Sequence, residues 1–323
     1  MLSDIEAVKR MLDSGKKLVL AGEESLLRRV PKGQWIGGTI PYFMSETGGI
    51  TTRDRMYVDE IPASATDVRI GIYDTSSIHG IATATPDNGY SILIIPAFSP
   101  LHEKYALEAL SFDNMFLRVV AGWISGIHLD DLGKASPLVF DGLTGQAMSD
   151  QGVAMHIGLP SGLQAQLGVV NIFEPGAGDE IEYGASGFST TQCIINGTHR
   201  GFVDYINEKK LDTRLPLVAN YMGTHVNVSI QSLDGGIAKF YAPVFEGVKY
   251  HWAKPVGSFP EHFSNAIPAG VTKPVFSCNC ILNYLYGELE NRKTGRLTGP
   301  MTFGEIGYQL LNQTLVYVSV ANV

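Results

Sequence analysis

The residues best suited to chemistry lie toward the end of the chain. Cys278 and Cys280 are spaced C-x-C, so on a strand both thiols point to one side. That pair suits either a reactive thiol or part of a metal site. Zinc needs more ligands, and Cys193 is the only other cysteine. Small buried apolar side chains are the common fate of free cysteines. Glu305 sits between glycines in Phe303-Gly-Glu-Ile-Gly307, where the chain can bring a carboxylate into a confined place or leave it on a solvated turn. Asn312 and Thr314 precede an apolar strand as pocket-lining or strand-entry residues. Near the other end, Gly37-Gly38-Thr39 follows Trp35-Ile36, either as a tight turn or as a backbone lip over a ligand.

No catalytic set is complete. The eight histidines are scattered, with no H-E-x-x-H, and no G-x-S-x-G elbow occurs. The polar stretch 174–185 is glycine-rich but lacks phosphate-loop spacing and a following lysine. Asp130-Asp131 does not have calcium-loop spacing. Neither a cofactor nor a metal is expected. A thiol enzyme, a hydrolase or transferase using Cys278, stays open, as does a structural or assembly protein without ligand.

Composition narrows the field. The chain has 323 residues, 45% hydrophobic and 17% charged, with a net charge of −8. That is ample for a core and carries no basic footprint, so nucleic acid is not an expected partner. No apolar run approaches the ~20 residues that span a bilayer, and the N-terminus lacks a signal-peptide core. Three cysteines are too few for a disulfide framework. A cytoplasmic protein without membrane contact is expected.

The elements that must position these residues read as follows. A helix over 3–13 opens on a Ser3/Glu6 capping box. Strands are expected at 17–21, 66–74 and 89–97, the last apolar on both faces as a central strand would be. Ser99-Pro100 starts a helix. Short strands follow at 137–140, 153–157 and 164–170. The polar stretch 174–185 marks a junction between halves 1–184 and 185–323. Beyond it come a strand over 190–195, a helix over 198–209, and an alternating strand over 225–230. That strand is expected to pair through an Asp234-Gly-Gly236 turn with 237–244. A helix over 259–266, a strand over 275–281, a polar loop over 288–298 and a last strand over 315–320 complete the chain. Strands and helices do not alternate regularly. The fold class is therefore α+β, with mixed, largely antiparallel sheets, helices packed outside, and two intimately associated halves.

Three motifs in order, Phe276-Ser-Cys278, Phe303-Gly-Glu-Ile306 and Asn312-Gln-Thr314, resemble the C-terminal part of the FIST family of sensory modules. Ile36-Gly-Gly-Thr39 is similar to that family's Gly-Gly-Thr turn. The resemblance implies a FIST N-like and a FIST C-like half and a small-molecule ligand, an amino acid or related metabolite. It also implies a separate signalling protein as partner and a binding role without catalysis. Carried over residue by residue, the ligand-binding positions are Gly37, Gly38, Thr39, Cys278, Glu305, Asn312 and Thr314. By residue type, Phe276, Tyr284, Tyr286 and Tyr308 would be either the apolar walls of such a pocket or core. Two departures stand out: Cys280-Ile-Leu282 replaces an arginine after the cysteine, and Leu311 replaces a histidine before Asn-Gln-Thr. Both point to a more neutral ligand, or to none.

Overall fold

The computed structural model describes residues 1–221, 223–271 and 273–322. Among the described residues the strands form four six-stranded sheets and one three-stranded sheet, and the helices are short. The fold is mixed α+β. Most strand pairs are antiparallel; three are parallel, joining Leu18–Gly22 to Trp35–Thr39, Gly89–Pro96 to Val119–Ser125, and Phe276–Cys280 to Gly299–Thr302.

Gly89–Pro96 is buried along its whole length, between Val119–Ser125 and Gly152–Gly158. Its alternating side chains go to two cores. Tyr90, Ile92 and Ile94 join Trp123, Phe43 and Val316 on one face. Leu93 and Ile95 join Leu101 and Tyr105 of the helix Pro100–Glu108 on the other. Burial on both faces is why this strand reads as a continuous apolar run.

The tail after residue 275 is threaded through these sheets. Glu305–Gly307 adds to Val119–Ser125. Thr314–Asn322 lies between Leu163–Asn171 and Phe276–Cys280. Gly299–Thr302 pairs with Tyr42–Ser45. Two of the five sheets therefore join strands from before residue 172 to strands from after residue 275. A third sheet is built wholly from residues 2–148, and the other two wholly from residues 181–252, a layer inserted between Leu163–Asn171 and Phe276–Cys280.

Several local expectations shift. The first helix is Ile5–Asp13 and its cap is Asp4, which accepts the Ala7 N–H at 2.7 Å; Ser3 belongs to a short strand instead. Gly37 and Gly38 do not turn the chain. They lie inside Trp35–Thr39, and a Cβ on Gly38 would sit 2.7 Å from Trp123 and 2.8 Å from Ile94, so the glycine lets two sheets close on each other. The Asp234-Gly-Gly236 hairpin forms, with φ of +56° and +81° at its glycines, but its first arm is Ile230–Asp234. Thr224–Val228 pairs backward with Leu217–Tyr221. Residues 198–201 form a strand and the helix begins at Phe202. A short helix, Ile281–Tyr286, follows the cysteine strand directly.

Candidate functional site

The seven expected ligand-binding residues are all buried. Glu305 is fully enclosed. Its Oε2 accepts the Thr314 hydroxyl at 2.8 Å and the Thr314 N–H at 3.2 Å, and Thr302 Oγ1 stands 3.4 Å from Oε1. Burial pushes this carboxyl up to about 8, against the pull of those hydrogen bonds and of the Cys280 thiol. Hydrogen counting agrees with a protonated group. Thr302 Oγ1 also contacts the carbonyls of Gly304 and Asn279, at 3.0 and 3.3 Å, and has one hydrogen to give. A carboxylic O–H completes that set.

Cys278 and Cys280 share one strand and face this cluster. The Cys278 thiol donates to the carbonyl of Gly122 at 3.3 Å. Burial, and next the Glu305 carboxyl, hold both thiols well above the ordinary cysteine value. Asn312 faces elsewhere: its Oδ1 accepts the Ser229 hydroxyl at 2.8 Å, and its carbonyl accepts Asn227 Nδ2 at 3.2 Å. Gly37, Gly38 and Thr39 are spent on sheet packing and on a Thr39–Leu138 hydrogen bond. The structure thus brings Glu305, Thr314 and the two cysteines together, but not around a ligand-sized hollow; the space beside Cys278 is about 10 Å³. The expected aromatic walls also disperse. Phe276 is core, Tyr284 reaches Thr51, Tyr286 borders another hollow, and Tyr308 packs on Phe116. The tail strands lie inside sheets, so the side chains between them interlock and close the space.

A groove of about 400 Å³ opens nearby. One wall is the entry to the helix Pro100–Glu108, with Phe98, Ser99 and His102. Leu129 and Leu132 extend that wall. The opposite wall comes from the inserted layer, with Phe188, Ser189, Gln231, Lys239 and Tyr241. The tail supplies Ile281, Leu282, Leu285 and Phe303. Of the Phe303-Gly-Glu-Ile306 motif it is the aromatic ring, not the carboxylate, that meets this space. Phe303 lies flat over Gly126, where a Cβ would come within 2.3 Å of the ring. Phe98, Leu132 and Leu285 are exposed at 61%, 47% and 40%, so large apolar side chains sit unshielded along the groove.

Within this apolar setting His102 stands apart. Its Nδ1 faces the backbone N–H of Phe98 at 3.4 Å, and that N–H can only donate, so the ring hydrogen is on Nε2. Nε2 is shut off from solvent and, among the described residues, has no partner. Burial lowers the imidazole to about 4, so it is neutral around pH 7. Phe98 itself has φ +63°, a left-handed conformation uncommon for an aromatic residue. The Leu129 wall is anchored from behind: Leu129 N–H donates to Tyr42 Oη at 3.0 Å, and Arg53 pairs with Asp131 at 2.8 Å.

Two other clusters have bland explanations. A second hollow, about 550 Å³, is more polar, but its Arg214 is already forked onto Asp212. Tyr73, His156 and Ser91 form a buried chain, with contacts of 2.8 and 2.6 Å, that runs on to Thr85 at the end of the short helix Ile81–Ala84. Among the described residues no group of three or more His, Cys, Asp or Glu side chains is placed to hold a metal ion. No described helix is long and apolar enough to cross a membrane.

His102 and the groove residues of 188–241 carried no signal in the sequence beyond residue type. They become neighbours only when the inserted layer folds onto the helix Pro100–Glu108. The Ser99-Pro100 helix start was the one legible marker: Ser99 Oγ does cap the helix, accepting the His102 N–H at 3.1 Å.

Fold and site define a mixed-sheet α+β protein with an amphipathic groove between an inserted strand layer and the main sheets. The chain belongs to a family of unknown function, DUF6976, which it matches over residues 3–321. No curated protein and no solved structure matches it significantly.

Proposed function

We propose that this protein binds a small, largely apolar molecule in the groove beside His102, without transforming it. The observation that carries the reading is the groove itself: a ligand-sized space with aromatic and aliphatic walls, exposed apolar side chains, and a few convergent polar groups. The sensory role implied by the resemblance to FIST modules suits its position. A ligand there would touch the helix Pro100–Glu108, the inserted layer and the tail at once. Passing the signal on would require a separate protein partner. Three unpaired cysteines support a cytoplasmic setting for this role. A thiol enzyme at Cys278 has less support: the sulfur is enclosed and its pKa is raised, whereas nucleophilic cysteines are partly exposed with lowered pKa.

The test is a thermal-shift screen of metabolites and apolar fragments on the wild type and on Ser189→Trp. Ser189 is exposed on the groove wall, so the indole fills the space without entering the core. A binder at a hundred times its Kd adds about 2.7 kcal/mol of stability, and that gain should vanish in the variant. Ligands that stabilise both proteins equally would place binding elsewhere, and no stabilisation of the wild type by any compound would end the reading.

A further inference from the structure

We infer that the groove selects a ligand carrying a flat aromatic ring, which packs against the exposed ring of Phe98. This rests on the groove being a binding site at all, and it goes further by naming the class of molecule and the side chain that selects it.

Phe98 carries two costs that folding alone does not require. Its backbone is left-handed, with φ +63°, which is unfavourable for a bulky side chain. Its ring is 61% exposed to water. Among the described residues no other large apolar side chain combines that backbone with that exposure. Tyr308 shares the conformation, with φ +64°, but its ring is half-buried against the core around Tyr105, and packing offsets the strain. Strained residues that their surroundings hold in place cluster at ligand sites. The turn under Phe98 is tied at four points. Ala97 N–H donates to the Ser125 carbonyl at 3.1 Å, and Phe98 N–H donates to His102 Nδ1 at 3.4 Å. The Ser99 hydroxyl donates to the Pro96 carbonyl at 2.7 Å and accepts the His102 N–H at 3.1 Å. The ring is thus presented on a fixed support, which lowers the ordering cost of binding.

The rest of the lining has the same character. Phe303 meets Phe98 edge to face, ring centroids 6.1 Å apart, and is backed by Gly126. Phe188 and Tyr241 add two half-buried rings. Aromatic rings attract one another through their charge distribution, in edge-to-face or offset contact, beyond what burial contributes. A flat ring entering the groove meets such partners. A saturated skeleton of the same size meets only apolar surface.

The experiment compares naphthalen-2-ol with decahydronaphthalen-2-ol by calorimetric titration of the full chain at pH 7. The two share a skeleton and a hydroxyl, and the saturated one is the more apolar, so burial alone favours it. The wild type should instead bind the aromatic compound about three- to tenfold tighter, the usual worth of a ring pair. Phe98→Leu, which keeps apolar bulk, should erase that preference, and Phe98→Tyr should keep it. Phe98→Asn, which takes the left-handed backbone at little cost, should lose the preference and yet melt no more than about 2 °C below the wild type. A larger fall would make the ring a support of the fold and overturn the inference. Equal affinity for the two compounds, or tighter binding of the saturated one, with both blocked by Ser189→Trp, would sink the aromatic inference and leave the groove standing. An aromatic preference that survives Phe98→Leu would also overturn it. Binding that survives Ser189→Trp would lie elsewhere and overturn both the inference and the reading beneath it. No binding of either compound would remove the inference, and the fragment screen then decides the reading by itself.

Discussion

At the scale of single residues, Glu305 makes the sharpest prediction. Its carboxyl moves from an ordinary value of 4.5 to about 8 because it is buried without a cation beside it. Between those pH values the native protein keeps a proton that the unfolded chain releases. The stabilising contribution is therefore complete below about pH 4.5 and is lost as pH rises toward 8, a change on the order of a few kcal/mol. Asp59, raised to about 7 by burial, acts in the same direction. His102 and His156, lowered to about 4, act oppositely, adding stability as pH rises toward 6.5. Comparing wild type with Glu305→Gln isolates the first effect. The amide keeps a donor and cannot ionise, so its deficit in urea unfolding should shrink from pH 5 to pH 8. A deficit independent of pH would mean the carboxyl is already ionised in the native state. The buried thiols give a second prediction. Cys278 and Cys280 should resist iodoacetamide in the native protein at pH 7.5 and react fully in urea. Rapid native alkylation of Cys278 would revive the thiol enzyme.

At the scale of elements, Gly38 tests the sheet contact. Its strand Trp35–Thr39 faces Trp123 and Ile94 of the central sheet with no room for a methyl group. Gly38→Ala should cost about 1–3 kcal/mol by forcing those side chains off their positions. Gly80→Ala is the control: nothing lies within 4 Å of the added carbon and φ is −82°. It should change stability by less than about 0.5 kcal/mol. Equal losses from the two substitutions would mean that Gly38 is there for flexibility and not for close packing. This is also where the sequence misled. Paired glycines usually punctuate a chain, and only the sheet standing above them shows that here they remove side chains from an interface.

At the scale of the whole molecule, the inserted layer and the tail are joined through Asn227. It is fully buried, and its Nδ2 reaches Asn171 Oδ1 at 3.0 Å and the carbonyls of Asn312 and Gln313 at 3.2 and 3.3 Å. The Ser229 hydroxyl stands 2.8 and 2.6 Å from Asn312 Oδ1 and Gln313 Oε1 and shares its one hydrogen between them. Asn227→Ala leaves buried carbonyls unpaired and should cost about 2–3 kcal/mol, while urea unfolding remains one transition. If residues 181–252 unfolded first in the variant, seen as two transitions, the layer would be an independent unit and the groove a flexible seam.

Local rules in the sequence determined the fold class, the central strand, the capped helix at Ser99, the hairpin turn at Gly235-Gly236 and the final strand. Each depends on alternation, capping or turn chemistry within about ten residues. The same rules marked Glu305, Thr314 and the cysteines as unusual, and Glu305, Thr314, Cys278 and Cys280 do meet. What they could not decide was the space around them. Strands hundreds of residues apart in sequence close over that cluster, while the groove opens where residues 98–102, 188–241 and 281–303 converge. A cavity is the volume that packing leaves over, and it exists only once every neighbouring element has been placed.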